Sequence, residues 1–378
     1  MADKKGILYN EAAKAYFYGD CVSSIEPYGG GHINDTFLAR TEKGNFVLQR
    51  VNGYVFPHPD EIMDNMVHVT KFLAEKLEKA GKDPKRGTLT VLKTNDGKDY
   101  YIDSEGNYWR STINLENTTA YDFAESPEML KKSGAAFGAF QNMLSDYPAE
   151  TLHEVIPHFH DTPARFEQLM QAVRENKAGR LKNVAAELEF AKARETDCGL
   201  LMNLLEKGKL PLKVTHNDTK MSNVLIDNAT GDAVCVIDLD TVMPGLTAFD
   251  FGDSIRAGAS TGAEDETDLT KVHFSVPLFK AYTEGFLGEA GKALTETEIR
   301  TLPDGVKLMT FEVGIRFLAD YLNGDVYFKT KYPQHNLDRA RNQFHLVAEM
   351  EAKRDETQTV VDAVSYTHLR AHETPEHL

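Results

Sequence analysis

Hydrophobic and polar positions follow two different periods along this chain. Over the first 115 or so residues the alternation is that of strands, with β-branched and aromatic residues recurring over 21–28, 35–41, 45–51, 88–93, 98–103 and 107–113. Gly29-Gly30-Gly31, Lys43-Gly44-Asn45, Asn95-Asp96-Gly97 and Glu105-Gly106-Asn107 punctuate these runs, and the last three have the hairpin chemistry of residues that tolerate positive φ. One helix interrupts the strands. Asp60 is its expected cap, and Ile62, Met66, Val69, Phe72, Leu73 and Leu77 form an apolar stripe that ends before Gly81.

After Asn117 the period becomes helical: segments 127–145, 162–177, 181–207, 268–285, 296–323 and 336–354 carry apolar residues three and four apart. A short β-rich island lies among them, comprising 212–215, 223–227 and 233–238. The pattern predicts an α+β protein. Residues 1–115 form an antiparallel sheet with one helix, and 116–364 form a mainly helical second domain. Ser365 to Leu378, with three His and no apolar period, is expected to be a disordered tail or a non-native extension.

Composition narrows the function. A chain of 378 residues, 41% hydrophobic and 10% aromatic, is large enough for two sizeable cores. Its net charge of −16 repels nucleic acid and anionic membrane surfaces. No apolar run approaches the roughly 20 residues that cross a bilayer, and Met1-Ala2-Asp3-Lys4-Lys5 leads into no signal segment, so the expected location is the cytoplasm. Cys21, Cys198 and Cys235 are too scattered for a disulfide framework or a CxxC metal site and read as buried thiols.

Candidate chemistry concentrates in the β island. Val214-Thr215 runs into His216-Asn217-Asp218-Thr219-Lys220-Met221-Ser222-Asn223, and Val236-Ile237 ends in Asp238-Leu239-Asp240. Strands that end in this way set Asp218, Asn223 and Asp238 at one end of a small sheet. Phosphoryl transfer needs a carboxylate beside the acceptor hydroxyl and hard oxygen ligands for Mg²⁺ against the phosphates of ATP. Asp218 suits the first role, Asn223 and Asp238 the second, and Lys220 offsets phosphate charge. Asp240, two residues beyond Asp238, either makes a second metal contact or orients one.

The string His216-x-Asp218-x-x-x-x-Asn223 resembles the catalytic loop of protein kinases, with Asn217 where those carry Arg. That departure and Ile237-Asp238-Leu239-Asp240 resemble the aminoglycoside phosphotransferase and choline kinase group. Within the group, Gly31-His32-Ile33-Asn34-Asp35-Thr36, Phe46 to Asn52, His216 to Lys220 and Arg316 to Leu322 are similar to the N-acetylhexosamine 1-kinases. The likeness spans roughly residues 15 to 350. It implies a protein-kinase-like two-lobed fold with its hinge near Thr112 to Glu116, Mg²⁺ and ATP as cofactors, and a small-molecule sugar as substrate. It also implies that Gly29, Gly30 and Gly31 cover nucleotide while His32 and Asp35 contact the sugar.

Other positions carry two readings. Kinases need a cation on the third strand, and Gln49 and Arg50 are the candidates on opposite faces, Arg50 being the charged one. Its carboxylate partner on the inserted helix is Glu61 or Asp64, residues that also suit a helix N-terminus on charge alone. Arg316 and Asp320, four apart on a helix, form either a surface ion pair or, by the resemblance, a sugar-binding guanidinium held by a carboxylate. Asp250-Phe251-Gly252 follows no strand and is therefore not the metal motif; Asp250 is expected to cap the next helix and brace the catalytic loop.

Overall fold

In the computed structural model, which describes residues 2–17, 21–30 and 33–370, sheet and helix separate along the chain. First come helix α1 (Ala2–Tyr16), strands β1 (Val22–Pro27), β2 (Asp35–Thr41) and β3 (Gly44–Arg50), and helices α2 (Pro59–Lys79) and α3 (Pro84–Gly87). Strands β4 (Tyr101–Ile102), β5 (Tyr108–Ile113) and β6 (Thr118–Ala120) follow, then helices α4 (Pro127–Met143), α5 (Thr162–Glu175), α6 (Ala185–Lys192), α7 (Glu195–Cys198) and α8 (Leu200–Glu206). Strands β7 (Lys213–Thr215), β8 (Val224–Asp227), β9 (Ala233–Val236) and β10 (Met243–Gly245) precede helices α9 (Thr247–Gly258), α10 (Val276–Ala290), α11 (Glu296–Asn323), α12 (His335–Ala352) and α13 (Arg354–Arg370). Two compact units result: Met1–Thr119, Asp146–Ile156 and Leu225–Met243 make one, Ala120–Ser145, Pro157–Val224 and Pro244–Leu378 the other.

The first unit is built on an antiparallel sheet of order β1-β2-β3-β5-β4. Its register sets Asp35 opposite Arg50 and Arg50 opposite Trp109, while Thr36 faces Gln49 and Gln49 faces Arg110. Side chains alternate across a sheet, so these two rows stand on opposite faces. The first face is sealed by α1, whose Leu8, Ala12, Ala13 and Tyr16 pack with Ala39, Leu48 and Trp109. Residues before 21 carry no strand pattern, yet Leu8, Ala12 and Tyr16 recur at helical spacing, and the apolar sheet face supplies what such a helix needs to be stable.

Helix α2 keeps the expected stripe, with Ile62, Met66, Val69, Leu73 and Leu77 buried, but its cap differs. Pro59 occupies the first turn and His58 is the N-cap, which leaves Asp60 inside the helix. The strand expected over 88–93 is reduced to the isolated bridge of Val91 with Thr112, and that over 98–103 to β4.

The second unit centres on α11, which spans 296–323 as its periodicity predicts and starts with a capping box between Thr295 and Glu298. Phe311, Ile315 and Leu318 of α11 join Phe166, Leu169, Leu337 and Phe344 in one core, and Leu308 and Met309 join Leu201, Leu246 and Phe249 in another. These two cores explain why 181–207 is three short helices rather than one. Leu188, Ala191 and Cys198 serve the first core and Leu201 the second, a change of direction that one straight helix does not allow. Helix α10 begins at Val276, not 268, because the Ser275 hydroxyl accepts the Leu278 N–H and the proline after Val276 belongs in a first turn. Helices α4 and α10 cross at backbone contact: a Cβ on Gly285 would lie 1.9 Å from the Lys131 carbonyl oxygen.

Helix α13 continues to Arg370, so the stretch from Ser365 begins as helix; residues 371–378 lie outside the described part. No helix among the described residues is long and apolar enough to cross a membrane. Cys198 and Cys235 are buried, with both thiols pushed up to about 12 by burial, whereas Cys21 is exposed.

Candidate active site

Strand β7 delivers the chain into the 216–223 loop of the second unit, where backbone groups without ladder partners need side-chain ones. Asp250 meets that need, its carboxylate accepting the N–H of His216 at 2.8 Å, the N–H of Asn217 at 2.7 Å and the Gln141 amide at 2.8 Å. Complete burial pushes this carboxyl up, against the pull of those donors. Asp253, nearly one turn on, accepts the Thr219 N–H at 2.9 Å, and the Ser254 hydroxyl donates to the Thr219 carbonyl at 2.5 Å. Asp250 therefore braces the loop. It does not cap α9, whose N-cap is Leu246. His216 is fully buried, edge-on to the rings of Phe137 and Phe140 at 5.5 and 5.9 Å.

Asp218 stands at the crest of this loop. Its Oδ2 accepts Lys220 Nζ at 2.8 Å and Asn223 Nδ2 at 3.2 Å, and the same Asn223 amide donates to its carbonyl at 2.8 Å. Burial raises the carboxyl, but the Lys220 ammonium and the Asn223 amide outweigh it and hold the pKa below the ordinary carboxylate value. Asn217, just before it, is held left-handed with φ 64°, an arrangement found where surrounding structure over-determines the backbone.

Part of that hold comes from His160, whose side chain is 7% exposed beside a fully buried Glu312. One ring nitrogen lies 3.0 Å from Glu312 Oε1 and the other 3.1 Å from the Asn217 carbonyl oxygen. Against an ionised Glu312 both partners accept, so both ring nitrogens donate and the ring is an imidazolium. Burial lowers the ring's pKa, yet the Glu312 carboxylate and the more distant Asp253 raise it further, above the ordinary histidine value. Thr162 Oγ1 satisfies the second Glu312 oxygen at 2.9 Å.

In the first unit the sheet face under α2 carries Gln49 and Arg110. The Arg110 side chain, 1% exposed, donates to Gln49 Oε1 at 2.9 Å, touches Met66 Sδ at 3.5 Å and forms an ion pair with Asp240. Asn34 Nδ2 donates to the other Asp240 oxygen at 2.6 Å, and Asn34 Oδ1 accepts the Asn52 N–H at 3.0 Å. The buried cation of this face is thus Arg110, on β5. Arg50, favoured on charge, is on the opposite face, ion-paired with Asp35 near Leu8, Phe37 and Trp109. Glu61 and Asp64 pair with neither residue; they face His153, Asp64 at 3.0 Å. Strand β9 ends at Val236, and Asp238 has a left-handed backbone, φ 61°, that opens a tight turn over Leu239–Thr241. Alternation therefore does not relate Asp240 to Asp238, and both Asp240 oxygens are committed to Arg110 and Asn34. Asp238 is half-buried. Gly29, with φ 75°, and Gly30 are exposed and open to solvent on the Cβ side; Gly31 and His32 lie outside the described residues.

Arg316 and Asp320 are not an ion pair. Asp320 accepts the N–H groups of Val326, Tyr327 and Phe328, each at 2.9 Å, and the Asn336 amide at 2.9 Å. It thereby fixes two rings beside Arg316, whose guanidinium carbon lies 5.6 to 5.9 Å from the ring centres of Phe159, Tyr327 and Phe328. Arg165 donates to the Phe159 carbonyl, and burial and the adjacent Arg316 charge push its pKa below the ordinary value. Phe159 directly precedes His160, so this cationic, aromatic patch adjoins the Asp218 loop.

The structure thus gathers Asp218, Lys220 and Asn223, and separately Gln49 and Asp240. Sequence reasoning passed over His160, Glu312, Asp253 and Arg110. Two carried a signal: Glu312 is the sole acid between Asp304 and Asp320 in an apolar helix, and Arg110 interrupts a β-rich run.

A two-unit α+β frame with a carboxylate loop of this design is that of the kinase-like enzymes that phosphorylate small molecules. Comparison agrees: residues 24–280 match the model of the phosphotransferase enzyme family, and the chain belongs to that family. It is a phosphotransferase acting on hydroxyl groups of small molecules. Among solved structures it is similar to a microcompartment-associated aminopropanol kinase, 14% identical over 93% of this chain and 98% of that one, with a TM-score of 0.59. An aminoglycoside phosphotransferase from Alicyclobacillus acidocaldarius is 13% identical over 96% of each chain, at TM-score 0.57. An amicoumacin kinase in complex with AMP-PNP and Ca²⁺ is 13% identical over 96% and 94%, at TM-score 0.55. At these identities the likeness is one of fold, the protein-kinase-like α+β fold.

Proposed function

We propose that the protein transfers the γ-phosphoryl group of ATP to the anomeric hydroxyl of an N-acetylhexosamine such as GlcNAc or GalNAc. The observation that carries this reading is the braced loop that presents Asp218 between Lys220 and Asn223. Asp218 holds the acceptor hydroxyl in line with the phosphoryl group and takes its proton as the new P–O bond forms and ADP leaves. A carboxylate with a lowered pKa is a weak base, which fits a loose transition state in which positioning outweighs early proton removal. Lys220 supplies positive charge for the transferring group.

The donor set suits a hard divalent cation. Asn223 commits its amide nitrogen to Asp218, so its remaining donor is the oxygen Oδ1, and Asp238 adds a half-buried carboxylate. Asn223 in the second unit and Asp238 in the first are each the kind of oxygen ligand that Mg²⁺ takes, and such an ion would neutralise phosphate charge. Asp240 acts differently, by anchoring Arg110 and Asn34. Gly29 and Gly30 offer backbone to the phosphates, and Gln49 and Arg110, rather than Arg50, mark the sheet face for nucleotide.

The patch around Arg316 supports a neutral, oxygen-rich acceptor. Two guanidiniums beside three aromatic rings repel choline, ethanolamine and polycationic aminoglycosides and suit the hydroxyl and acetamide oxygens of a sugar. An acceptor screen with Mg-ATP tests the reading: turnover of N-acetylhexosamines is expected, and activity on choline alone refutes it. Asp218→Asn should keep nucleotide binding while cutting turnover by orders of magnitude, and an unchanged rate overturns the assignment.

A further inference from the structure

Far along the chain from the catalytic loop, three potential ligands converge in the second unit. His345 and Glu349 stand one turn apart on α12, and His273 reaches them from the segment before α10; their ligand atoms lie within 4.8 Å of one another. His273 Nδ1 is 2.8 Å and His345 Nε2 3.7 Å from Glu349 Oε1. Three ligands on a tetrahedral Zn²⁺ sit about 3.4 Å apart, given bonds of about 2.0–2.1 Å.

What distinguishes this trio from a surface ion pair is how its outer atoms are held. His273 Nε2 lies 3.0 Å from the Thr270 carbonyl oxygen, which fixes the ring and leaves Nδ1 for the centre. Glu349 Oε2 accepts the Phe274 N–H at 2.7 Å and Lys353 Nζ at 2.9 Å, which leaves Oε1. His345 Nε2 is buried and has no hydrogen-bond partner among the described residues, an unusual cost for a polar atom. The His273 backbone is anchored too, its N–H donating to Thr261 Oγ1 at 2.9 Å and its carbonyl accepting the Thr261 N–H at 3.0 Å.

We propose that His273, His345 and Glu349 form a binding site for a late first-row divalent cation, Zn²⁺ being the natural occupant, that ties the 270–274 segment to α12. Two imidazoles and one carboxylate select such ions over Mg²⁺, which prefers six oxygen ligands, so this site is separate in chemistry from the one that serves the nucleotide. Binding at Nδ1 displaces the proton that otherwise joins His273 to Glu349.

Calorimetry and equilibrium dialysis of the metal-freed full chain with Zn²⁺ alone, and absorption with Co²⁺ as a visible probe, test this. One tight equivalent is expected in the wild type, with the intense bands of low-coordinate Co²⁺. His273→Ala and His345→Ala should each weaken that equivalent by at least about 100-fold, the upper range for loss of an outer partner alone. Turnover at saturating Mg²⁺ should be unchanged. Should the alanine variants fold poorly, His345→Asn and Glu349→Gln serve instead, and Zn²⁺ should raise the melting temperature of the wild type but not of these. Equal stoichiometry and affinity in wild type and variants, or a pale octahedral Co²⁺ spectrum, overturns the site.

Discussion

Replacing His160 by Phe isolates what the buried imidazolium contributes. The ring volume against Phe159 and Phe249, at centroid distances of 4.4 and 5.7 Å, is retained, while both N–H donors disappear. Glu312 is then a buried carboxylate with Thr162 as its remaining donor, and the Asn217 carbonyl loses its ring partner. Removing one member of a buried pair costs about 3–5 kcal/mol, because the other charge remains desolvated. In a chain of this size that lowers Tm by about 4–6 °C. Because Asn217 precedes Asp218, kcat should fall as well, by on the order of 10²-fold if the carboxylate moves about 1 Å.

The companion variant Glu312→Gln separates charge from geometry. Its amide can donate to a neutral His160 and accept from Thr162, while the other ring nitrogen still donates to Asn217, so a loss of about 1 kcal/mol is expected. The pH dependence has a definite sign. The folded ring's pKa lies above the ordinary value of about 6.5, so its contribution is fully present below that value and is lost as pH rises through the higher, folded one. The stability gap between wild type and His160→Phe should therefore narrow as pH rises. Chemical denaturation across pH, in a double-mutant cycle with Glu312→Gln, measures both effects. Costs below about 1 kcal/mol that add without coupling would refute the imidazolium assignment.

Four further outcomes follow from the contacts. Asp250→Asn turns an amide donor toward one of the three donors that its carboxylate accepts, and should cost about 1–3 kcal/mol in denaturant melts together with a fall in kcat. Arg110→Met leaves Asp240 buried with Asn34 alone, and should lose about 3–5 kcal/mol and weaken nucleotide binding in titrations. Gly285→Ala forces α4 and α10 apart and should lower Tm measurably by an overpacking cost of about 1–3 kcal/mol or more, without altering acceptor preference. Asp320→Ala releases the 326–328 backbone and with it the rings beside Arg316; the acceptor KM should rise by roughly tenfold or more, one tenfold step being about 1.4 kcal/mol, while the KM for nucleotide holds.

Local pattern alone determined a good deal here. The 3.6-residue period set α4, α5, α11 and α12 to within a few residues, because each has a continuous apolar face and most carry a cap or proline start. The spacing of Asp218, Lys220 and Asn223 announced a charged loop, because the three polar side chains fall within one short segment between two β-rich runs. Tertiary structure decided what depends on which surface is covered. Gln49 and Arg50 are interchangeable along a strand, and only the packing of α1 on one face and α2 on the other separates them. Asp240 and Asp320 carry acceptor capacity that sequence assigned to a metal and to Arg316; burial gave it to Arg110 and Asn34 in one case and to three backbone N–H groups in the other. His160 and Glu312, 152 residues apart, have no shared pattern at all, since a buried ion pair is specified by the fold that brings its two charges together.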